Sequence, residues 1–361
     1  MAWNNIFVSI VWQLFWASIL YFVLEFGISV VRGAVPKIGH DERLFPRNII
    51  NNNDALNRHR VKIADGILQN LPQITQKSKN LEIRIVASNR GNDFLYQTVL
   101  FVLEQQSATF NYSLSICNVE SEIFPDLRRF DKLKIPIKTI GEKSGEVSKN
   151  HLNSTIGKEN QDYWKCLGLP TESRYILLIE DDAVVIPEFS KLLFSLVKML
   201  DIHEYVDFAK LYHPNYLRKL PSYIMANGFR LYHYILLFLL LHCQILQNIP
   251  NFYIPHPLDF PFLESHILRF PADFRYYLTG SAYISYPESC CTPAVIFRQS
   301  SVKRMHEYFV RSQAFSGHAK DHILDESPFT GRQSDVNYVT HIGSFSSVRQ
   351  RAVYLSDLRE N

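Results

Sequence analysis

One stretch of the sequence decides the fold: Tyr175-Ile176-Leu177-Leu178-Ile179-Glu180-Asp181-Asp182. Its first five residues are apolar and rich in strand formers, which predicts a strand buried on both faces in the middle of an α/β sheet. Ligands bind at the carboxyl ends of such strands, where the acids follow. Adjacent carboxylates are costly unless a cation lies among them. These three acids, Glu180-Asp181-Asp182, are called the acid step below. The acid step predicts a site for a divalent cation and the phosphates it bridges. An acidic turn that opens the next helix is the alternative.

The residues before this strand indicate the rest of the sheet. Leu81–Ala87 predicts a first strand, Phe94–Glu104 a helix and Tyr112–Val119 a second strand. A strand, helix and strand in this order form a βαβ unit, so we expect an α/β domain with a mostly parallel sheet. Residues 124–149 read as a loop, and the remaining patterns predict helices at Asn160–Leu167, Pro187–Leu200 and Ser300–Arg311 and strands at Val206–Tyr212, Thr292–Phe297 and Val336–Ile342.

Two apolar runs suggest a membrane protein. Ile6–Val31 is long enough to cross a bilayer and has no basic residue before it, which favours an uncleaved N-terminal anchor over a cleaved signal peptide. Ile224–Ile249 is also leucine-rich, although Arg230, His233 and His242 interrupt it. If the chain after it rejoins the same domain, this insert crosses the membrane twice or not at all. A membrane hairpin and a buried core helix with an aromatic lid both meet that condition.

Charge, sequons and cysteines bear on partners and compartment. The net charge of +3 is slight, so no nucleic-acid partner is indicated. Basic residues after the anchor favour a cytosolic domain, whereas the sequons at Asn111 and Asn153 favour a lumenal one. The five cysteines show no zinc spacing. In a lumen Cys117 and Cys166 could each bridge to one of the adjacent cysteines 290 and 291, and five reduced thiols are the alternative.

Several segments, in a fixed order, resemble the Golgi post-GPI-attachment transferases that add an N-acetylgalactosamine side chain to GPI anchors. The resemblance runs from about residue 80 to the C-terminus, with the anchor in its expected place. The segments are the acid step, Lys210-Leu211-Tyr212-His213-Pro214, Cys290-Cys291-Thr292-Pro293-Ala294, Lys320-Asp321 and His341-Ile342-Gly343-Ser344-Phe345-Ser346-Ser347.

The resemblance implies a GT-A-like glycosyltransferase domain interrupted by a transmembrane hairpin. The expected organisation is an anchor at 1–33, a stem or added helix at 34–79, a first GT-A part at 80–220, the inserted hairpin at 221–270 and a second, acceptor-side part at 271–361. The protein would lie in the Golgi membrane as a multi-pass glycoprotein with its catalytic domain in the lumen.

The resemblance also implies the reaction. UDP-N-acetylgalactosamine would be the donor and the first mannose of a GPI-anchored protein's glycan the acceptor, joined β1,4 with inversion. Mn²⁺ bridging the diphosphate would act as a Lewis acid, and inversion needs one base.

Roles for individual residues follow from this expectation. Asp182 is the expected direct metal ligand, with Asp181 as its partner and His341 completing the coordination. Asp321 is the expected base, and an N-cap aspartate is the alternative. The other candidates are donor contacts at Glu180, Ser88 and Arg90, and substrate contacts at Lys210, His213 and Thr292.

Two other functions remain open. Another GT-A transferase, such as an N-acetylglucosaminyltransferase acting on N-glycans, would use the same metal chemistry. A non-catalytic membrane scaffold that binds GPI would keep the fold alone, but it would not need the acids, Asp321 and His341 together.

Overall fold

A computed structural model of the protein describes residues 41–71, 78–106, 110–141, 151–212, 276–277, 279–287, 291–343, 345–346 and 351–352. The chain divides into two units, Met1–Lys37 with Leu220–Thr279, and Ile38–Lys219 with Gly280–Asn361. Nearly all described residues belong to the second unit. None of the described helices has both the length and the apolar composition that crossing a membrane requires. The predicted anchor and inserted hairpin lie outside the described residues.

The described elements alternate between helices and strands over most of the chain. The helices are α1 (Asn53–Asn70), α2 (Phe94–Glu104), α3 (Pro125–Arg128), α4 (His151–Leu167), α5 (Phe189–Ile202), α6 (Gln299–Phe309) and α7 (Lys320–Asp325), with 3₁₀ turns at Arg47–Ile49 and Asp131–Leu133. The strands are β1 (Leu81–Ala87), β2 (Ser113–Asn118), β3 (Ile137–Thr139), β4 (Tyr175–Glu180), β5 (Ala183–Val185), β6 (Phe208–Lys210), β7 (Ile284–Ser285), β8 (Ala294–Arg298), β9 (Gly331–Ser334), β10 (Val339–His341), β11 (Phe345–Ser346) and β12 (Arg351–Ala352).

The central sheet has the order β3-β2-β1-β4-β8-β6-β9-β7. The neighbouring strands β3 and β2, β2 and β1, and β1 and β4 pair in parallel, as the βαβ pattern predicts. The strands β6 and β9 also pair in parallel. The strand β8 runs antiparallel between β4 and β6, and β7 runs antiparallel to β9. The prediction of a mostly parallel sheet is therefore confirmed for its first half, and the second half is mixed.

Two sequence predictions need correction in this region. The stretch read as a loop contains the edge strand β3, which pairs with β2 over only three residues beside Pro136 and lysines and so shows no strand periodicity. The helix predicted from Asn160 begins at His151. Its first turns are polar and include Gly157, so they have no apolar face that would mark a helix.

One apolar core cluster of the described residues lies on one face of the sheet. Ile176 and Leu178 of β4 pack there with Trp164 of α4, Phe297 of β8 and Phe309 of α6. The Trp164 and Phe309 rings stack with their centroids 4.0 Å apart. Because side chains alternate along a strand, the intervening residues of β4 face the other layer. The Tyr175 hydroxyl accordingly donates to Asp201 in α5 at 2.7 Å. The helices on both faces hold the end of β4 in place.

A buried ion pair ties β1 to the end of α4. Arg84 is fully buried, and its Nη2 lies 2.9 Å from Oε1 of Glu82, which also accepts from Ser115. Its Nη1 donates to the carbonyl oxygens of Cys166 and Leu169 at the end of α4. A cation at a helix C-terminus satisfies free carbonyls and interacts favourably with the helix dipole. Burial alone would raise the pKa of Glu82, but Arg84 and Ser115 bring it below the ordinary value.

A disulfide joins β2 to α4, and it corrects a prediction. Cys117 of β2 bonds to Cys166 of α4, so the expectation that each of them bridges to residue 290 or 291 is wrong. Spacing cannot fix connectivity, and it is the packing of α4 on the sheet that brings these two thiols together. Cys291 is also disulfide-bonded, with a partner outside the described residues, and Cys290 itself lies outside them.

Replacing Arg84 by methionine tests the buried ion pair. The change leaves Glu82 buried without its cation, so we expect the free energy of unfolding to fall by about 3–5 kcal/mol in urea denaturation of the detergent-purified chain. The control is Arg174→Met, which removes an exposed ion pair with Asp201 and should cost no more than about 1 kcal/mol. Equal losses in the two variants would contradict a structural role for the buried pair.

Candidate metal and nucleotide site

The acid step lies where two sheets meet. Glu180 ends β4, and Asp181 and Asp182 form the turn into β5. The strand β5 pairs antiparallel with β10, and the register places His341 opposite Ala183, next to the acids. Glu180 is 9% exposed and Asp181 and Asp182 are 1% exposed. The local sequence therefore delivers three carboxylates into the protein interior, and a residue from the far end of the chain meets them there.

Glu180, Asp182 and His341 form a cluster suited to a metal ion. Each offers one ligand atom, and these atoms lie within 4.8 Å of one another. His341 Nε2 is 3.3 Å from Asp182 Oδ2. Asp182 Oδ1 is buried and accepts no hydrogen bond from any described residue. Two carboxylates and one imidazole suit a divalent transition metal such as Mn²⁺ or Zn²⁺.

Gly343 keeps the space beside this cluster open. A Cβ atom at this position would lie 2.4 Å from Asp182 Oδ2 and 3.0 Å from His341 Cε1. These distances are too short for a side chain unless Asp182 and His341 move, so the position favours glycine. The space that the missing side chain leaves lies directly against a buried ligand oxygen.

Asp181 faces a different set of partners. Its Oδ2 accepts hydrogen bonds from the Ser88 backbone N–H at 2.8 Å and from the Ser88 hydroxyl at 2.9 Å. Its carbonyl oxygen accepts from the Thr98 hydroxyl at 2.8 Å. The structure thus joins Asp181 to the loop after β1 and to α2, while Glu180 takes the place in the metal cluster that the sequence had predicted for Asp181.

Arg90 lies between the two aspartates. Its Nη1 is 2.7 Å from Asp182 Oδ2, and its Nε is 3.3 Å from Asp181 Oδ1. The loop that carries it turns sharply, because Gly91, Asn92 and Asp93 all have positive φ angles of 55–71°. The sequence predicted Ser88 and Arg90 as donor contacts, and the structure brings both to the acid step.

The buried charges shift one another's pKa values. Burial raises the pKa of Asp181 to about 6, against the opposing effect of Arg90. Burial would also raise the pKa of Asp182, but His341 and Arg90 together hold it well below its ordinary value. Burial would lower the pKa of His341, and Asp182 raises it above the usual range. Asp182 is therefore more fully ionised near neutral pH than Asp181.

A cavity of about 400 Å³ opens beside the acids. Apolar side chains from the ends of β1 and β2 lie on one side, and a polar face of α4 lies on another. The lining residues are Val86, Ser88, Arg90, Asn92, Phe94, Val119, Thr155, Lys158, Glu159, Asp162, Tyr163, Glu180, Asp182, Lys320 and Gly343. Its combination of apolar and charged side chains suits a ligand with a flat ring and phosphates.

The remaining candidates occupy different places. Thr292 lies before β8, and its hydroxyl donates to Glu180 Oε1 at 3.3 Å. Asp321, in the first turn of α7, accepts from the Cys291 N–H at 3.3 Å and is not among the cavity-lining residues. Lys210 is fully buried and ion-paired with Asp325. His213 lies outside the described residues.

The two predicted glycosylation acceptors lie in different settings. Asn111 lies two residues before β2 and is partly exposed, whereas Asn153 falls within α4. Thr155, the third residue of the second sequon, lines the cavity.

Sequence reasoning missed part of the site. Lys320 and Glu159 form an ion pair at the cavity wall, although the two residues are 161 positions apart. Thr98 lies in α2, whose mostly apolar sequence predicts a helix of the hydrophobic core, and its neighbours Val99 and Leu100 are fully buried. The one feature of the sequence that could have pointed to Lys320 is its position directly before the predicted base, Asp321.

Comparison with known proteins bears on the same region. A family model described as GPI-N-acetylgalactosamine transferase PGAP4 matches residues 81–255. The match starts at β1 and includes the acid step, and it confirms the family that the sequence motifs predict. Asp321 and His341 lie beyond the matched range. Among solved structures, "Crystal structure of S. aureus TarS 1-349" matches with a TM-score of 0.38 and 9% identity over 72% of this chain and 59% of that one. A likeness of that degree carries no conclusion about the site.

Gly343→Ala tests whether the cluster holds a metal. The added methyl group meets Asp182 and His341, so we expect Mn²⁺ affinity, measured by EPR titration of free Mn²⁺, to fall by about 10- to 100-fold. Gly66→Ala is the matched control, because nothing lies within 4 Å of its Cβ position in the middle of α1. Unchanged Mn²⁺ binding in a folded Gly343 variant would argue against the assigned cluster.

Proposed function

We propose, for a chain whose residues 81–255 belong to the GPI-N-acetylgalactosamine transferase family, that it transfers N-acetylgalactosamine from UDP-GalNAc to the first mannose of a GPI-anchor glycan. The transfer would be metal-dependent and inverting. The observation that supports this most is the cluster of Glu180, Asp182 and His341 at the edge of a cavity large enough for part of a nucleotide sugar.

The residues of the cluster fit the expected Mn²⁺. Glu180, Asp182 and His341 would hold it, and the buried Asp182 Oδ1 that accepts no hydrogen bond from the described residues is free to act as a ligand. When bound, the metal supplies Lewis-acid stabilisation of the departing diphosphate. Asp181 keeps a separate role, because its bonds to Ser88 fix the loop that forms the cavity wall.

The cavity suits the two ends of the donor. Val86, Val119 and Phe94 offer apolar contact for the uracil ring, and Arg90 and Lys158 bring positive charge to the phosphates. Arginine binds phosphate oxygens through a fork of N–H donors. Arg90 would therefore have two roles. It compensates the charge of Asp181 and Asp182, and it can contact the diphosphate while its guanidinium stays near Asp181.

Asp321 remains our candidate base. Burial would raise its pKa, but the Cys291 N–H and then His322 lower it below the ordinary value. The carboxylate is thus ionised at neutral pH, as a base must be to accept the proton of the mannose hydroxyl. The same two contacts fix its orientation, and His322 Nδ1 lies 3.2 Å from its Oδ1.

The disulfide supports a lumenal catalytic domain. Bonds of this kind form and persist in oxidising compartments, and the Cys117–Cys166 bond is buried in the core of the described unit. Together with the sequons it favours the lumen, and a Golgi membrane is the location that the resemblance to the family implies. A membrane-held enzyme gains effective concentration toward a lipid-tethered acceptor.

Two alternatives remain distinguishable. Another GT-A transferase would use the same metal cluster with a different sugar or acceptor. A GPI-binding scaffold would bind no UDP-sugar in the presence of Mn²⁺. A donor screen with purified membranes and a GPI-anchored acceptor, read by product mass, separates all three.

Asp182→Asn tests the enzyme assignment. Losing the central carboxylate should lower Mn²⁺-dependent transfer from UDP-GalNAc by more than about 100-fold. Asp131→Asn, an exposed acid in a 3₁₀ turn, should leave transfer unchanged. A wild-type chain that turns over no UDP-sugar would overturn the proposal.

Asp321→Asn tests the base. We expect kcat to fall by about 10²- to 10⁴-fold while UDP binding with Mn²⁺ stays near the wild-type value, because proton transfer affects the chemical step alone. Single-turnover rates and UDP titrations separate the two effects. An unchanged kcat would leave Asp321 with only its hydrogen bonds from the backbone N–H groups of Cys291 and His322.

A further inference from the structure

A second network of charges lines the cavity that also holds Arg90. Lys320, the first residue of α7, has its side chain 11% exposed, and its Nζ forms ion pairs with Glu159 of α4 and with Glu180 Oε1, the latter at 3.2 Å. The same Nζ lies 5.5 Å from the centroid of the Tyr163 ring. Its ammonium group therefore joins α7 to both α4 and β4.

Thr292 links two members of this network, Glu180 and Tyr163. The Thr292 hydroxyl donates to the same Glu180 oxygen that Lys320 contacts, and the Thr292 carbonyl accepts from the Tyr163 hydroxyl at 3.3 Å. Asp321, the next residue after Lys320, accepts from the backbone N–H of Cys291. The segment before β8 and the start of α7 are thus tied together, and both are tied to the end of β4.

The contacts of Glu180 leave its orientation dependent on Lys320. Within the described residues, its side chain has two polar contacts given by the structure, Lys320 Nζ and the Thr292 hydroxyl, and both reach Oε1. The carboxylate that these two contacts hold also offers one ligand atom to the metal cluster with Asp182 and His341. The charge of Lys320 also offsets the repulsion between Glu180 and Glu159.

We propose that Lys320 is a positioning residue of the donor site. Its shared ammonium group fixes the carboxylate of Glu180 for metal–nucleotide binding, and it sets the start of α7, where Asp321 lies. This inference rests on the proposed function, since it assigns Lys320 a task in binding a metal and a nucleoside diphosphate. Glu159 serves as the partner that holds the ammonium group at the cavity wall.

Two variants separate this role from a contribution to folding alone. Lys320→Met keeps the length of the side chain but leaves Glu159 and Glu180 without their cation, so it should lower the melting temperature. The double variant Lys320→Met with Glu159→Gln removes one positive and one negative charge together, so it should recover much of that loss. Lys303→Met, an exposed lysine on α6, is the matched control.

The measurement is the affinity for UDP by calorimetry at a fixed Mn²⁺ concentration, with the melting temperature of each full-length variant. We expect UDP affinity to fall at least about tenfold in Lys320→Met and to stay low in the double variant despite its recovered stability. The Lys303 control should match the wild type. A double variant that regains wild-type UDP affinity, or a Lys320→Met variant that never loses it, overturns the positioning role. A wild-type chain that binds no UDP with Mn²⁺ overturns the proposed function and this inference with it.

Discussion

The structure depends on how three buried carboxylates at the end of one strand are neutralised. Glu180, Asp181 and Asp182 are almost fully shielded from water, where an unpaired charge is very costly. Arg90, Lys320 and His341 supply the compensating charge, and they come from three distant parts of the sequence. The acid step can fold only when the loop after β1, the start of α7 and β10 all reach it.

The need to neutralise these carboxylates accounts for the order and direction of the strands around β4. The parallel strands β1, β2 and β4 bring the Ser88 loop beside the acids, as parallel strands align their carboxyl ends. The antiparallel strand β8 then returns the chain along β4, which places Thr292 next to Glu180. The pairing of β5 with β10 adds His341. The mixed half of the sheet therefore completes a site that the parallel half begins.

The sequence predicted some of these features well and missed others for physical reasons. Strand β1 and helix α2 occur at the predicted bounds, because each has a clear hydrophobic period. The strands β3 and β7 are too short for any period to show. Asp182 was predicted as a site residue because the three acids are adjacent in the sequence. The contact between Lys320 and Glu159 depends on tertiary packing alone, as does the pairing of Cys117 with Cys166.

The topology also limits what the predicted insert can do. The strand β6 ends before the insert, and β7, β8 and β9 follow it, yet all four belong to one sheet. The flanking segments accordingly fall in one unit, Ile38–Lys219 with Gly280–Asn361. One crossing would place β6 and β8 on opposite sides of a bilayer, although these strands are hydrogen-bonded neighbours. If the apolar run at 224–249 enters the membrane, it must therefore return to the same side, which is the condition that a hairpin meets.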